Sequence, residues 1–401
     1  MRRLSHPFAR GALVARFRFH GLLPFLLLLF VGTLSNSAIV PFMGFFLIDG
    51  LGQAPWILSV YSGLAIALTV GTNRAFGRRI DGGAPVFPLI GLAAGGYALA
   101  ALALSLSPSL PVMLTMGALG FGLSASAIST MFSLGGHLAE GASIDRPRFN
   151  AIMRATTSTA WMIGPALSFL AAGLYGPAIV FKGAMALGLL WLALWWTSLP
   201  RNATAKAPPR PVDPGTTIAP PKGLALAAAF VFCLSIAHGL TFSALPLFFT
   251  QEVGLPDFAP GTAFSVKTFV EVIAIFSTPV LMARFGLRAP LMAATLLAIG
   301  AILVLASVST LPQMLFGAAL EGLYYGLFAS LGISYVQSFA PDRPAQATAM
   351  YWNALMISGL LAGPAVGLIA QISSFQTVIY TSSAVAALAA LILLAGGRTR
   401  T

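Results

Sequence analysis

Pro200-Arg-Asn-Ala-Thr-Ala-Lys-Ala-Pro-Pro-Arg-Pro211, followed by prolines at 214, 220 and 221, interrupts a chain that is otherwise almost continuously apolar. A stretch so dense in proline cannot be helical throughout, and it carries little to bury. It reads as an extended linker over 200–222, separating a first half, 1–199, from a second, 223–401.

Outward from the linker, each half breaks into apolar runs of the length a bilayer requires, roughly 20 residues each. In the first half they fall near 21–47, 56–76, 85–106, 110–136, 150–173 and 177–198. In the second they fall near 224–250, 259–283, 287–308, 311–337, 346–371 and 375–396. Composition agrees: hydrophobic residues make up 58% of the 401 positions and charged residues 8%. A soluble protein carries about a quarter of its residues as charges, so lipid must be part of the solvent here. The basic N-terminus has no small-residue cleavage site after its first apolar run, which reads as a retained helix. The single cysteine, Cys233, excludes an internal disulfide framework, and the four scattered histidines give no metal-ligand spacing. No metal, cofactor or catalytic residue is expected.

The charges fix a topology. Lys and Arg occur at 2, 3, 10, 16 and 18, at 74, 78 and 79, at 146 and 148, and in the linker at 201, 206, 210 and 222. Later turns add Arg284, Arg288, Arg343, Arg398 and Arg400. With twelve spans, all of these share one side with both termini, while the opposite turns hold only Asp49, Glu252 and Asp257. Basic residues collect in cytoplasmic loops, so both termini are expected to be cytoplasmic. The net charge of +12 is explained by the same rule and implies no nucleic-acid partner. For that reason Asn202-Ala203-Thr204 in the linker is not read as a glycosylation site. Arg outnumbers Lys by 18 to 4, which suits a GC-rich bacterial source and an inner-membrane location.

The halves echo one another. Gly164-Pro165-Ala in the fifth span matches Gly363-Pro364-Ala in the eleventh. Pro41, Phe45-Phe46 and Asp49 match Pro246, Phe248-Phe249 and Glu252. Six plus six helices in two related halves resembles the major facilitator plan, an all-α membrane fold with the solute site between the halves near mid-membrane.

An ionisable side chain inside lipid costs about 2.5–3.5 kcal/mol on insertion scales, so each one is a functional candidate. Lys267 and Glu271 lie four residues apart on one face of the eighth span. They either neutralise each other beside a wet cavity, or Glu271 is a proton carrier tuned by desolvation and the ammonium. Arg154, about 8 Å into the fifth span, either snorkels to the interface or faces the cavity toward solute or Glu271. Asn353 is its counterpart in the repeat. Glu321 in the tenth span, with Tyr324 and Tyr325, suits hydroxyl-rich solutes, although the tyrosines also suit plain packing. Asn36, His238 and Trp352 are weaker solute-binding candidates. Ser124, Ser126 and Ser129 read as close helix packing, and Lys182 in the sixth span has no assigned role.

Gly77-Arg78-Arg79-Ile-Asp81-Gly-Gly resembles the major facilitator loop signature, in which Asp81, Arg78 and Arg79 would act in gating. Gly82 stands where a basic residue usually follows, and the later Gly-Arg-Arg part is missing. Within that superfamily the chain resembles bacterial sugar efflux transporters, through Met153-Arg154, Ala160-Trp161-Met-Ile-Gly164-Pro165, Leu245-Pro246-Leu, Glu252-Val-Gly-Leu-Pro256, Glu271, Arg284-Phe-Gly286 and Gly363 through Gln371. Lys267 departs from that pattern. The resemblance implies a proton-coupled secondary transporter that exports a sugar, glycoside or similar small molecule by alternating access; the chain is expected to be a monomer. Glu271, Lys267 and Glu321 would handle protons. A drug or other metabolite exporter of the same fold is the alternative, with a membrane sensor behind it. An enzyme is not expected, since no nucleophile–base pair lies within the spans.

Overall fold

The computed structural model of this chain describes residues 22–141, 146–205, 222–339 and 344–396. Much of the 200–222 linker, and the basic residues at 2–18, 343, 398 and 400, lie outside them. The described residues are helical, apart from short turns and one isolated antiparallel bridge between Pro85 and Thr204. Helices are what such sequences must form, because lipid offers no partner to backbone N–H and C=O groups.

In chain order these are α1 (Leu22–Gly50), α2 (Trp56–Asp81), α3 (Phe87–Leu106) and α4 (Leu110–Gly135). Next come α5 (Arg146–Tyr175), α6 (Ile179–Ser198), α7 (Gly223–Glu252) and α8 (Ala259–Phe285). The last are α9 (Arg288–Ala306), α10 (Leu311–Ser338), α11 (Pro344–Ile372) and α12 (Phe375–Ala395). Among the described residues, eleven helices are long and apolar enough to cross a membrane. α5 is 30 residues long but stays outside that set. Its first half is diluted by Arg154 and the run Thr156-Thr-Ser-Thr159.

Several starts are set by proline in the first turn, where the missing N–H is no loss: α3, α4, α8 and α10. The α12 start is capped by Ser374, whose hydroxyl accepts from the Thr377 N–H at 3.1 Å. α2 runs through Arg78, Arg79 and Asp81 before Gly82-Gly83 turn the chain. The Gly77–Asp81 signature is therefore helical for most of its length.

The chain falls into two compact units. One takes in the described residues of Met1–Ala38, Ala67–Gly164 and Ala178–Arg210. Inside it Tyr97 donates to the Ser35 carbonyl at 2.9 Å, Ser37 donates to the Ala160 carbonyl at 2.9 Å, and Trp191 is fully buried. The other takes in Ile39–Ile66, Pro165–Pro177 and the described residues of Pro211–Thr401. Here the last part of α1, the first part of α2 and the end of α5 pack as one body with α7 through α12. Ser59 on α2 donates to the Pro364 carbonyl on α11 at 2.6 Å. On α8, a Cβ added at Gly261 would stand 2.8 Å from the Pro165 carbonyl oxygen of α5. This end of the unit holds Asp49, Glu252 and Asp257 and is called the acidic end below.

α1 and α7 finish there in the same way. Each ends in a π turn, Phe46–Gly50 and Phe248–Glu252. Leu51 donates to Phe46 at 2.9 Å and Gln53 to Leu47 at 3.1 Å; Val253 donates to Phe248 at 3.0 Å and Leu255 to Phe249 at 2.8 Å. Gly52 and Gly254 fill the same left-handed position, at φ +62° and +75°. The backbone thus pairs Asp49 with Gln251 rather than with Glu252, one residue off the sequence match. Gln251 donates to Asp49 at 3.4 Å across the contact between the two turns.

Candidate functional site

The site begins with two glycines. Gly322 and Gly326 on α10 are four apart, so they share a face and let another backbone come close. The backbone they meet is the Lys267–Glu271 turn of α8. A Cβ at Gly322 would stand 2.9 Å from the Lys267 carbonyl carbon, and one at Gly326 would stand 2.8 Å from the Ala274 Cβ. The register of α10 on α8 is set there, and it brings Glu321, Tyr324 and Tyr325 beside Lys267 and Glu271.

Lys267 is 6% exposed, and its ammonium donates to Glu271 Oε2 at 2.8 Å. Its Nζ also lies 4.3 Å from the centre of the Tyr325 ring, at cation–π distance. His238 of α7 stacks on the same tyrosine, with ring centres 3.8 Å apart and planes 18° from parallel. Its Nδ1 lies 3.2 Å from the Tyr324 hydroxyl and 3.5 Å from Glu321 Oε1. Glu321 is 2% exposed, and its Oε1 makes no hydrogen bond within the described residues. Six side chains from three helices thus form one buried cluster with two acids, one amine, one imidazole and two phenols. Such a cluster can hold or pass protons and present hydroxyl and aromatic faces to a polar solute.

The structure therefore gathers Lys267, Glu271, Glu321, His238, Tyr324 and Tyr325. The remaining sites of interest lie elsewhere. Asn36 is buried against α4: it donates to the Gly32 carbonyl at 3.0 Å and accepts from Ser124 at 2.8 Å. Ser129 likewise donates to Asn73, at 2.9 Å. Arg154 is exposed on α5, and Trp352 and Asn353 are exposed on α11, with Trp352 edge-on to Tyr351. Arg78, Arg79 and Asp81 are exposed at the end of α2. Lys182 is exposed in the first turn of α6, where its long stem reaches the helix end.

Four participants escaped the sequence reading. Gly322 and Gly326 were visible as a small-xxx-small spacing. Phe242 of α7, 6.1 Å from the His238 ring and 4.8 Å from Phe264, carries no signal beyond being apolar. Glu252 was read as a loop acid, but its two oxygens accept from the Phe375 and Gln376 N–H groups at 2.6 and 2.9 Å. It pins the end of α7 to the positive start of α12.

Comparison with known proteins agrees with this architecture. Residues 226–400 match the Major Facilitator Superfamily. Sugar efflux transporter A of Escherichia coli (strain K12) is 26% identical over 92% of this chain and 94% of its own. Sugar efflux transporter C of the same organism is 24% identical over the same shares. Sugar efflux transporter B of Salmonella typhimurium is 23% identical over 89% of this chain and 90% of its own. The crystal structure of the nucleoside transporter NupG superposes with a TM-score of 0.76 at 15% identity, over 94% of this chain and 99% of that one; at that identity it speaks for the fold alone. Taken with the helical architecture, these matches make the chain similar to the multi-pass transporters of the major facilitator superfamily, the bacterial sugar efflux transporters among them.

Proposed function

We propose that this transporter is a proton-coupled exporter of a sugar, glycoside or similar small molecule, working by alternating access as a monomer in a bacterial inner membrane. Twelve spans in two halves joined by the 200–222 linker, with both termini cytoplasmic, complete the reading. The acidic end then faces outward and the basic turns face the cytoplasm. The names of the sugar efflux relatives support the solute class.

One observation carries the coupling: the buried cluster contains one acid with a cation and one without. Glu271 is bonded to Lys267, whereas Glu321 Oε1 makes no hydrogen bond within the described residues. A buried carboxylate without a compensating donor is costly when ionised, and a proton removes that cost. Lys267 holds Glu271 ready as the second station. His238, Tyr324 and Tyr325 give the solute hydrogen-bond partners and an aromatic face. Arg154, Asn353 and Trp352 are proposed to contribute from exposed positions on α5 and α11. Asp81, Arg78 and Arg79 are assigned to gating at the cytoplasmic end, and Asn36 to holding α1 on α4.

The test is transport into inverted vesicles under an imposed pH gradient, screened across sugars, glycosides and cationic drugs. Gradient-driven accumulation of a sugar or glycoside is expected. Glu321→Gln and Glu271→Gln should each abolish it while solute binding persists. Response to cationic drugs alone would replace the sugar reading, and unchanged transport in both variants would overturn the coupling.

A further inference from the structure

The cluster of α7, α8 and α10 holds two acids, and one aromatic ring stands between their partners. Tyr325 comes just before Gly326, so its side chain leaves α10 beside the face that Gly322 and Gly326 press onto α8. Lys267 reaches the ring from α8, with Nζ 4.3 Å from its centre. His238 reaches it from α7, with its ring centre 3.8 Å away and its plane 18° from parallel. An imidazole stacked that closely covers the face it touches, so the ammonium takes the other one. Tyr325 is a plate with Lys267 and Glu271 on one side and His238 on the other.

Each side of the plate has its own pairing. The ammonium donates to Glu271 Oε2 at 2.8 Å. His238 Nδ1 lies 3.5 Å from Glu321 Oε1, which makes no hydrogen bond within the described residues. Lys267 and Glu321 nevertheless start side by side. A Cβ added at Gly322, the residue after Glu321, would stand 2.9 Å from the Lys267 carbonyl carbon. An ammonium and an unpaired buried carboxylate attract strongly in a low-dielectric interior, yet among the described residues no ion pair joins these two. The other ionisable groups facing Glu321 are His238 from α7, Glu271 from α8, and Tyr324 and Tyr325 on its own helix. α9 brings only Arg288, at its first residue, and α11 and α12 hold no Asp, Glu, Lys, Arg or His.

We infer that Tyr325 is a positioning residue: its ring keeps Lys267 on Glu271 and away from Glu321, so that Glu321 is left without a cation and free to take a proton. The inference rests on Glu321 being the proton-linked carboxylate proposed above. It gives the ring a duty that needs its width and flatness and not its hydroxyl. One amine placed next to two acids then serves only one of them.

The test uses the full chain in lipid nanodiscs and dicyclohexylcarbodiimide, which adds to a protonated carboxyl and not to an ionised one. Mass spectrometry of the peptide carrying Glu321 follows the rate, at a pH on the rising part of the parent's rate profile. Tyr325→Leu should lower that rate about tenfold or more, because an ammonium brought within about 4–6 Å keeps a carboxylate ionised. Tyr325→Phe keeps the plate, and its Glu321 should react like the parent's. Removing the ion pair as a unit, Lys267→Met/Glu271→Leu, should restore the rate in Tyr325→Leu and leave it unchanged where Tyr325 is intact. If Tyr325→Leu yields no folded protein, Tyr325→Met is read in its place, with the same ordering expected. A Glu321 as reactive in Tyr325→Leu as in the parent overturns the partition and leaves the proposed function standing. So does a slow rate that stays slow once Lys267 and Glu271 are gone. A parent whose Glu321 reacts at no pH would take away Glu321 as a proton site, and the partition with it.

Discussion

The buried polar groups of α1 and α4 and those of α7, α8 and α10 answer the same problem in opposite ways. In the first set every group is neutral, and those that tie helices together are paired: Asn36 bonds Gly32 and Ser124, Ser124 also bonds Phe121, and the Ser35 carbonyl receives Tyr97, while the hydroxyls of Thr33 and Ser126 make no hydrogen bond within the described residues. Nothing there gains by changing state. In the second set four of the six groups are charged or chargeable, and one acid oxygen is left without a donor. A low-dielectric interior penalises that arrangement. It persists because the close fit of Gly322 and Gly326 on α8 leaves Glu321 nowhere else to go. The first arrangement builds a scaffold, and the second keeps ionisable groups together in the interior.

Separating the charges breaks the comparison most sharply. Lys267→Met leaves Glu271 as an uncompensated, largely buried acid and should cost about 3 kcal/mol of stability in chemical unfolding. The double variant Lys267→Met/Glu271→Leu should recover to within about 1 kcal/mol of the parent while losing gradient-driven transport. A double variant as unstable as the single one would mean that the pair is not the unit. Next is Gly326→Leu, which wedges α10 off α8; overpacking of this kind costs about 1–3 kcal/mol, and transport should fall further than stability does.

The scaffold side should respond weakly. Asn36→Ala is expected to cost about 0.6–1.7 kcal/mol, the range for hydrogen bonds between membrane helices, with transport retained once the protein is folded. Loss of transport in a stable Asn36→Ala protein would move Asn36 into the working set. The smallest effect concerns Asp257, in the turn between α7 and α8. Burial, and then the neighbouring Asp49 carboxylate, raise its carboxyl above the ordinary range. An acid whose pKa is raised by the folded contact favours that contact when protonated. The closed acidic end should therefore be firmest at low pH and loosen as pH rises through the raised value. Labelling of a cysteine placed at Gln251 should increase over that window, and Asp257→Asn should flatten the dependence.

Much of this was written in the chain. Runs of the right length located the helices, and the four-residue spacing of Lys267 and Glu271 gave an ion pair that the structure contains. These are local properties, fixed by 1.5 Å of rise and about 100° of turn per residue. What sequence could not supply is register between helices. His238 and Glu321 are 83 positions apart, and their approach to 3.5 Å follows from how α10 seats on α8 and α7. Asn36 shows the same limit from the other side: a polar residue in a span reads as functional until its partner, Ser124, is found 88 positions away. The Gly77–Asp81 stretch read as a loop because its residues are those of turns, yet α2 simply continues through it.

The paired π turns also bear on how the two halves should be aligned. Phe46 and Phe248 are equivalent by backbone geometry at an offset of 202 residues, whereas Gly164 and Gly363 correspond at 199. No single offset aligns both pairs, since the two offsets differ by three residues. Spacing drifted while the turn at the acidic end kept its hydrogen-bond pattern, down to the glycine two residues past each helix. Aligning the two halves by sequence alone would spread that difference across the helices; anchoring on the turns confines it to the segments between them.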